Sequence, residues 1–508
     1  MKRIGLRSSC VVGFDGTQHV LWRNGEVVFE GSRIAFVGRD YAGPVDQWID
    51  YGNALIGPGF IDLDALGDLD STVLTLDNGD ERDMGRMWSA DYLARGSRES
   101  YSPDEEVFKY RYAFTQLIRN GITTAMPITS MYYREWAETF DEFAAVAGVA
   151  AELGLRIYLG PCYMSGMSYW QADGTLSHHW DEARGMAGLD AAERFFRDFE
   201  GANGGLIRGA LLPDRIQTCT PALLQRTAAL SRELNAPMRL HCCQGLGEVA
   251  MVEQLRGASP LGWLQQLGLL SPRSLLPHGI YTHGDDDLQR VVDGGASLVH
   301  CPVVFARDGE ALNSFGRYRA KGINFALGTD TWPADLLDNM RQGLNIARLM
   351  EGGNSLTSTL DMYNAATLGG ARALGRDDLG RLAPGAKADI TVFSLRGLHL
   401  GPLFDPLKNL VLAGRGDDCI ASYIDGRCVM QDGQVKGVDY PTLQRQAQQQ
   451  FEKLMRSHSD RAFGQPDWKP CSNRPSRMPT TTAHRRHFAP LIHFFRELCP
   501  CKASTSAN

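Results

Sequence analysis

Two imidazoles and two carboxylates stand directly after short apolar runs in this chain. Asp64 follows Phe60-Ile61-Asp62-Leu63, with Asp62, Asp68 and Asp70 close by. His241 follows Met238-Arg239-Leu240, His278 follows Leu275-Leu276-Pro277, and Asp330 follows Asn324-Phe325-Ala326-Leu327-Gly328-Thr329. Imidazole nitrogens and carboxylate oxygens are the donors that hold a divalent cation. Such an ion makes water nucleophilic at neutral pH, which hydrolysis of an unactivated bond requires. A base must then take the water's proton, and an acid must protonate the leaving group. Other polar residues read by default as structural: His178 and His179 as solvated loop residues, and a lone Asp68 or Asp70 as a turn or cap.

These side chains need strands to carry them. Within residues 58–385, apolar runs alternate with amphipathic stretches such as Glu142-Phe143-Ala144-Ala145-Val146-Ala147. Repeated strand–helix units predict an α/β fold, and their number favours a closed (β/α)8 TIM-type barrel over an open sheet. Ligand-type residues at strand ends then fall on the barrel's C-terminal face, where barrel enzymes keep their chemistry. Residues 1–57 and 386–440 carry short strands joined by glycine turns, which predicts a small β-sandwich formed from both flanks. Residues 441–508 begin as a Gln- and charge-rich helix. From residue 459 the composition turns polar and aperiodic, which predicts a disordered tail.

The remaining composition mainly excludes. A formal net charge of -7 over 508 residues gives no polycationic surface, so nucleic acid is not an expected partner. No apolar run reaches the length of a membrane span, and the first residues lack a secretory apolar core, so no membrane contact and a cytoplasmic location are expected. The eleven cysteines show no scaffold spacing and read as reduced thiols. The Cys499-Pro500-Cys501 pair has no partner motif and carries no metal assignment.

The stretch Pro58-Gly59-Phe60-Ile61-Asp62 closely resembles the opening barrel strand of the amidohydrolase superfamily, and Leu379-Gly380-Arg381-Leu382-Ala383-Pro384-Gly385-Ala386-Lys387-Ala388-Asp389 resembles its closing signature. The resemblance covers roughly residues 9–440. It implies a metal-dependent hydrolase with a fifth-strand histidine ligand at His241 and a sixth-strand histidine at His278 that binds metal or holds the attacking water. It also implies an eighth-strand aspartate at Asp330 that touches metal and takes the water's proton. The alternative to His278 is His283. The family's first strand continues as His-x-His, whereas this chain has Asp64 and Leu66. Asp64 then stands in for the first ligand, and Asp68 or a water for the second. A carboxylate in place of imidazole shifts preference toward harder ions such as Mn, Fe(II) or Co, with Zn still admitted. One divalent ion per site is expected.

A second departure lies three residues after His241. Deaminases and chlorohydrolases of the superfamily carry a proton-shuttling Glu there, and this chain has Gln244, which cannot exchange a proton at neutral pH. The stretch from Leu55 to Asp70 is similar to a branch that includes molinate hydrolase and the phenylurea hydrolases. The resemblance therefore implies cleavage of a non-peptide C–N bond in an amide-like small molecule such as a phenylurea, carbamate or thiocarbamate. The alternatives are an aminohydrolase or chlorohydrolase acting on a heteroaromatic ring, a metal-free binding protein, or an ordinary aminohydrolase with its ligands elsewhere. Gln244, His300 and Trp332 are the expected substrate contacts. Tyr132, Tyr133, Trp136, Met164, Met167, Tyr169 and Trp170 are either pocket walls or core. Self-association is left open by analogy with oligomeric relatives.

Overall fold

The computed structural model describes residues 2–74 and 88–464. Eight parallel strands form the centre: β1 Phe60–Leu66, β2 Ile122–Ile128, β3 Arg156–Leu159, β4 Ile207–Gly209, β5 Met238–Arg239, β6 Ser274–Pro277, β7 Ser297–His300 and β8 Asn324–Leu327. They pair in the order β4-β3-β2-β1-β8-β7-β6-β5. A parallel bridge between Leu211 and Met238 joins the two ends, with the Arg239 amide donating to the Leu211 carbonyl at 3.0 Å. The sheet is thus a closed barrel. Its strands are almost wholly buried because crossover helices cover their outer faces, which is why they read as near-continuous apolar runs.

Local signals set the crossovers. Helix Pro103–Arg119 starts from a capping box at Ser102 with proline in its first turn, so one carboxylate and one hydroxyl satisfy free amides reciprocally. Helix Phe140–Leu153 ends at Gly154 with φ 77°, a left-handed cap that glycine adopts without a Cβ penalty. Helix Leu336–Glu351 starts from Asp335 and ends at Gly352 in the same way.

The flanks meet as expected. The N-terminal strand Ala54–Pro58 pairs antiparallel with the C-terminal strand Ile390–Ser394, and all nine flanking strands join in one continuous sheet. One residue, Gly59, separates this sheet from β1. A Cβ on Gly59 would lie 2.0 Å from the Thr123 hydroxyl, so any side chain there would force the barrel away from the flank. Buried Arg156, at the start of β3, donates to both oxygens of Asp389 at 2.7 and 3.0 Å and to Asp425 at 3.1 Å, tying the barrel floor to the flanking sheet. Removing one partner of such a buried pair costs about 3–5 kcal/mol.

The C-terminal helix runs from Tyr440 to Arg461 and packs on helix Pro103–Arg119. The tail expected from residue 459 lies, past residue 464, outside the described residues, as do Cys499 and Cys501. No helix among the described residues is long and apolar enough to cross a membrane.

Candidate metal centre and substrate cavity

Side chains in a strand alternate between faces, so Asp62 and Asp64 on β1 both point into the barrel, and both are fully buried. Asp62 accepts the Thr329 hydroxyl at 2.8 Å, the Thr329 amide at 3.2 Å and the Asp64 amide at 3.2 Å. The same Thr329 hydroxyl accepts the Leu66 amide at 3.1 Å, and the Asp330 amide donates to the Asp64 carbonyl at 2.8 Å. These bonds clamp β1 to the end of β8 and present Asp64 and Asp330 side by side. Burial pushes the Asp62 carboxyl up to about 7.

Asp64, His278, Cys301 and Asp330 each offer a donor atom, and these four atoms lie within 4.8 Å of one another. His241 adjoins the group, its Nε2 3.5 Å from Asp64 Oδ1. His278 Nε2 stands 3.8 Å from Asp330 Oδ2. His241 Nδ1 lies 2.8 Å from the Asp214 carbonyl. A carbonyl only accepts, so Nδ1 carries a proton, and Nε2 is the nitrogen turned toward Asp64 and open to a metal. Asp64 Oδ1, His241 Nε2 and both nitrogens of His278 are buried and have no hydrogen-bond partner. Each unsatisfied buried group costs roughly 1–3 kcal/mol, and three of these atoms, one each from Asp64, His241 and His278, call for a common partner. A divalent cation meets that need, and these residues fit a single ion.

The backbone is strained at the same place. His278 has φ 84° and Asp330 φ 50°, left-handed values that cost a residue with a Cβ about 1–3 kcal/mol and collect at functional sites.

Charges in the site are unequal. Burial raises Asp64, but the adjacent His241 and Arg239 outweigh it and hold its carboxyl below the ordinary range. Burial and the charge of Asp64 push Asp330 well above that range. Burial, then repulsion from His241, keeps His278 well below the usual imidazole value, so its ring is neutral. Arg239 Nη1 stands 3.4 Å from Asp64 Oδ1 and donates to the Met126 carbonyl at 3.0 Å.

A cavity of about 160 Å³ opens beside Asp330 and Leu66. Trp88, Met131, Tyr132, Tyr133, Met164 and Met167 give it apolar walls, and Arg215 and Asp214 add polar groups. Of the aromatic and Met candidates read from the sequence, Tyr132, Tyr133, Met164 and Met167 line it. Trp136 is buried behind Met164, donating to its carbonyl at 3.1 Å. The C-terminal helix closes the rear wall: Arg461 donates to the Tyr132 carbonyl at 2.7 Å and lies over the Tyr133 ring.

The other expected contacts are distributed differently. Gln244 is half-buried and accepts a hydrogen bond from Arg215, while Glu248 accepts the amides of Cys243 and Gln244 at 2.7 and 2.8 Å. The Trp332 side chain is 51% exposed and is not among the cavity-lining residues; its backbone amide donates to Asp70 instead. His300 packs on Phe315 and Phe325, with ring centroids 5.8 and 6.3 Å away, and burial lowers it to about 4. Its neighbour Cys301 turns its sulfur into the donor group, so alternation turns His300 the other way, against Phe315 and Phe325. His283 faces Glu253 at 3.3 Å, away from the donor group. Asp68 accepts the amides of Leu69 and Ser130 and does not join the donors either. Arg239, Arg215 and Cys301 enter the site without having been assigned a role by sequence. Arg239 had a signal, since it lies two residues before His241 in the same strand run and so shares its face.

All eight cysteines among the described residues are free thiols. The amidohydrolase family model matches residues 56–429. A 5-methylthioadenosine/S-adenosylhomocysteine deaminase of Natronomonas pharaonis is 26% identical over 433 residues, 84% of this chain and 92% of that protein. An 8-oxoguanine deaminase of Pseudomonas aeruginosa is 29% identical over 349 residues, 67% of this chain and 75% of that protein. The crystal structure of an adenosine deaminase from Xanthomonas campestris with bound zinc superposes with a TM-score of 0.74 at 20% identity, covering 89% of this chain and 98% of that one. The matched span runs from the strand before β1 to the C-terminal strands of the flanking sheet and includes every donor of the site. The chain therefore belongs to the amidohydrolase family and is an enzyme acting on carbon–nitrogen bonds.

Proposed function

We propose that this enzyme hydrolyses a small, flat, nitrogen-rich molecule at a ring carbon bearing an amino or comparable leaving group, as an aminohydrolase does. The observation that carries the reading is the double position of Asp330, which belongs to the donor cluster and also lines the cavity. A carbon held in that cavity lies against the same carboxylate that faces His278. The deaminases among the relatives support the heteroaromatic substrate over the amide-like one, and the Met and aromatic walls suit a planar ring.

Asp64, His241, His278 and Asp330 would hold the ion, which lowers the pKa of water and polarises the carbon under attack. Asp330 takes the water's proton. Asp330 belongs to the donor group and also lines the cavity, which places it to take the proton and hand it on. The water oxygen bonds to carbon, the C–N bond breaks, and the nitrogen leaves with the proton that Asp330 carried. Gln244 is an amide and moves no proton, so both transfers fall to Asp330. Arg215 lines the cavity and instead orients an acceptor group of the substrate, and Gln244, outside the cavity lining, accepts a hydrogen bond from Arg215 and so positions it. The eight free thiols support a reducing, cytoplasmic setting.

A second reading, hydrolysis of a urea, carbamate or thiocarbamate, is favoured by one observation: Gln244 stands where ring deaminases keep a Glu. Product analysis separates the two. Ammonia with the ring retained supports the first reading. Carbon dioxide with an organic amine supports the second and overturns the first. In either case Asp330→Asn should lower kcat/KM by about 10²–10⁴-fold while the protein keeps its fold.

A further inference from the structure

We propose that Cys301 is a metal ligand, coordinating as thiolate and replacing the donor that Leu66 cannot supply. The inference rests on the metal-dependent reading above and adds a soft donor to a site that sequence alone presents as oxygen- and nitrogen-only. Cys301 Sγ lies 3.6 Å from Asp64 Oδ2 and belongs to the same 4.8 Å group as His278 and Asp330. It is fully buried in the barrel interior. The unpartnered atoms of Asp64 and His278 belong to the same set of donors, so the thiol is not an isolated feature.

Two further observations favour coordination over simple packing. Gly328 is what lets the thiol and the carboxylate approach: a Cβ there would lie 2.9 Å from Cys301 Sγ and 2.6 Å from Asp64 Cβ, so any side chain would part them. The second is charge. Asp64, Asp330 and a thiolate would give three anionic donors against one divalent ion, one negative charge in excess. The Arg239 guanidinium, buried 3.4 Å from Asp64, offsets it. When the metal–sulfur bond forms, the S–H bond breaks and its proton passes to solvent, leaving no redox change. A sulfur donor moves the preference away from Mn toward Zn and Co(II).

The test uses the full-length protein, stripped of metal and reloaded with Co(II) or Zn(II). We expect a thiolate-to-cobalt charge-transfer band in the near ultraviolet. X-ray absorption of the zinc form should show a sulfur neighbour at about 2.3 Å. Both should vanish in Cys301→Ser, with metal affinity weakened about tenfold or more. Cys301→Asp should keep the metal without the sulfur signature, which covers the case in which the serine variant does not fold. Bound cobalt without the band, or a band that survives in Cys301→Asp, overturns thiolate ligation and leaves the hydrolase reading standing. A wild-type protein that takes up neither ion overturns both.

Discussion

Arg239 and His241 approach one and the same oxygen of Asp64, at 3.4 and 3.5 Å, from two positions of a single strand run. A buried carboxylate is thus flanked by a permanent cation and by an imidazole whose free nitrogen faces it. Without metal, Arg239 is the permanent charge that, with His241, holds Asp64 ionised in a dry interior. Substituting Arg239→Met should therefore destabilise the metal-free protein by about 3–5 kcal/mol, because it leaves an uncompensated buried charge. The loaded site keeps one negative charge in excess, so it still needs Arg239 and the loss should persist with metal bound. Denaturant unfolding of both forms measures it, and a loss below about 1 kcal/mol in either form would contradict the role given to Arg239.

Gln244 leads to a second expectation. The Arg215 guanidinium donates to its amide oxygen, and Glu248 fixes its backbone. A carboxylate at this position would keep the bond to Arg215 and gain a proton to exchange. Gln244→Glu should raise the rate of ammonia release from an amino-substituted ring about tenfold or more, since a positioned acid–base group is worth 10²–10⁴-fold at best. Steady-state ammonia assays report this. A rate that falls while KM is unchanged would mean that Gln244 is not near the leaving group.

Away from the site, His19 governs part of the pH response. Its ring is buried between the flanking sheet and the barrel, 3.0 Å from the Thr367 hydroxyl, and burial lowers it to about 4. An unfolded histidine titrates near 6.5, so below that pH the unfolded chain binds a proton the folded chain refuses. Stability is full above 6.5 and falls as the pH drops toward 4. The difference amounts to roughly 3 kcal/mol. Unfolding midpoints of wild type and His19→Gln at pH 7 and pH 4.5 should converge at the lower value, with the variant losing less. A parallel decline would show that His19 is not the group responsible.

The barrel was legible because its strands are buried on both faces and so appear as uninterrupted apolar runs, four of which lead into a ligand-type residue. Asp64, His241, His278 and Asp330 are brought together for that reason. His300 and Trp332 are not, and the cause is directional. A strand's side chains alternate, and one position separates inward Cys301 from outward His300. A residue beyond the strand end, such as Trp332, has no periodicity to fix its direction at all. Arg215 was illegible in another way. It sits in a loop after β4, and only the fold reveals that this loop crosses to Gln244 over the barrel mouth.

The most direct test is metal content of the purified chain, measured by elemental mass spectrometry beside Asp64→Ala. Buried donor atoms without partners on Asp64, His241 and His278 predict one divalent ion per wild-type chain, and a folded Asp64→Ala protein that has lost most of it together with activity. A folded wild-type protein without metal that cannot be reloaded with Zn, Co or Mn would contradict the account, as would an Asp64→Ala variant that keeps a full complement.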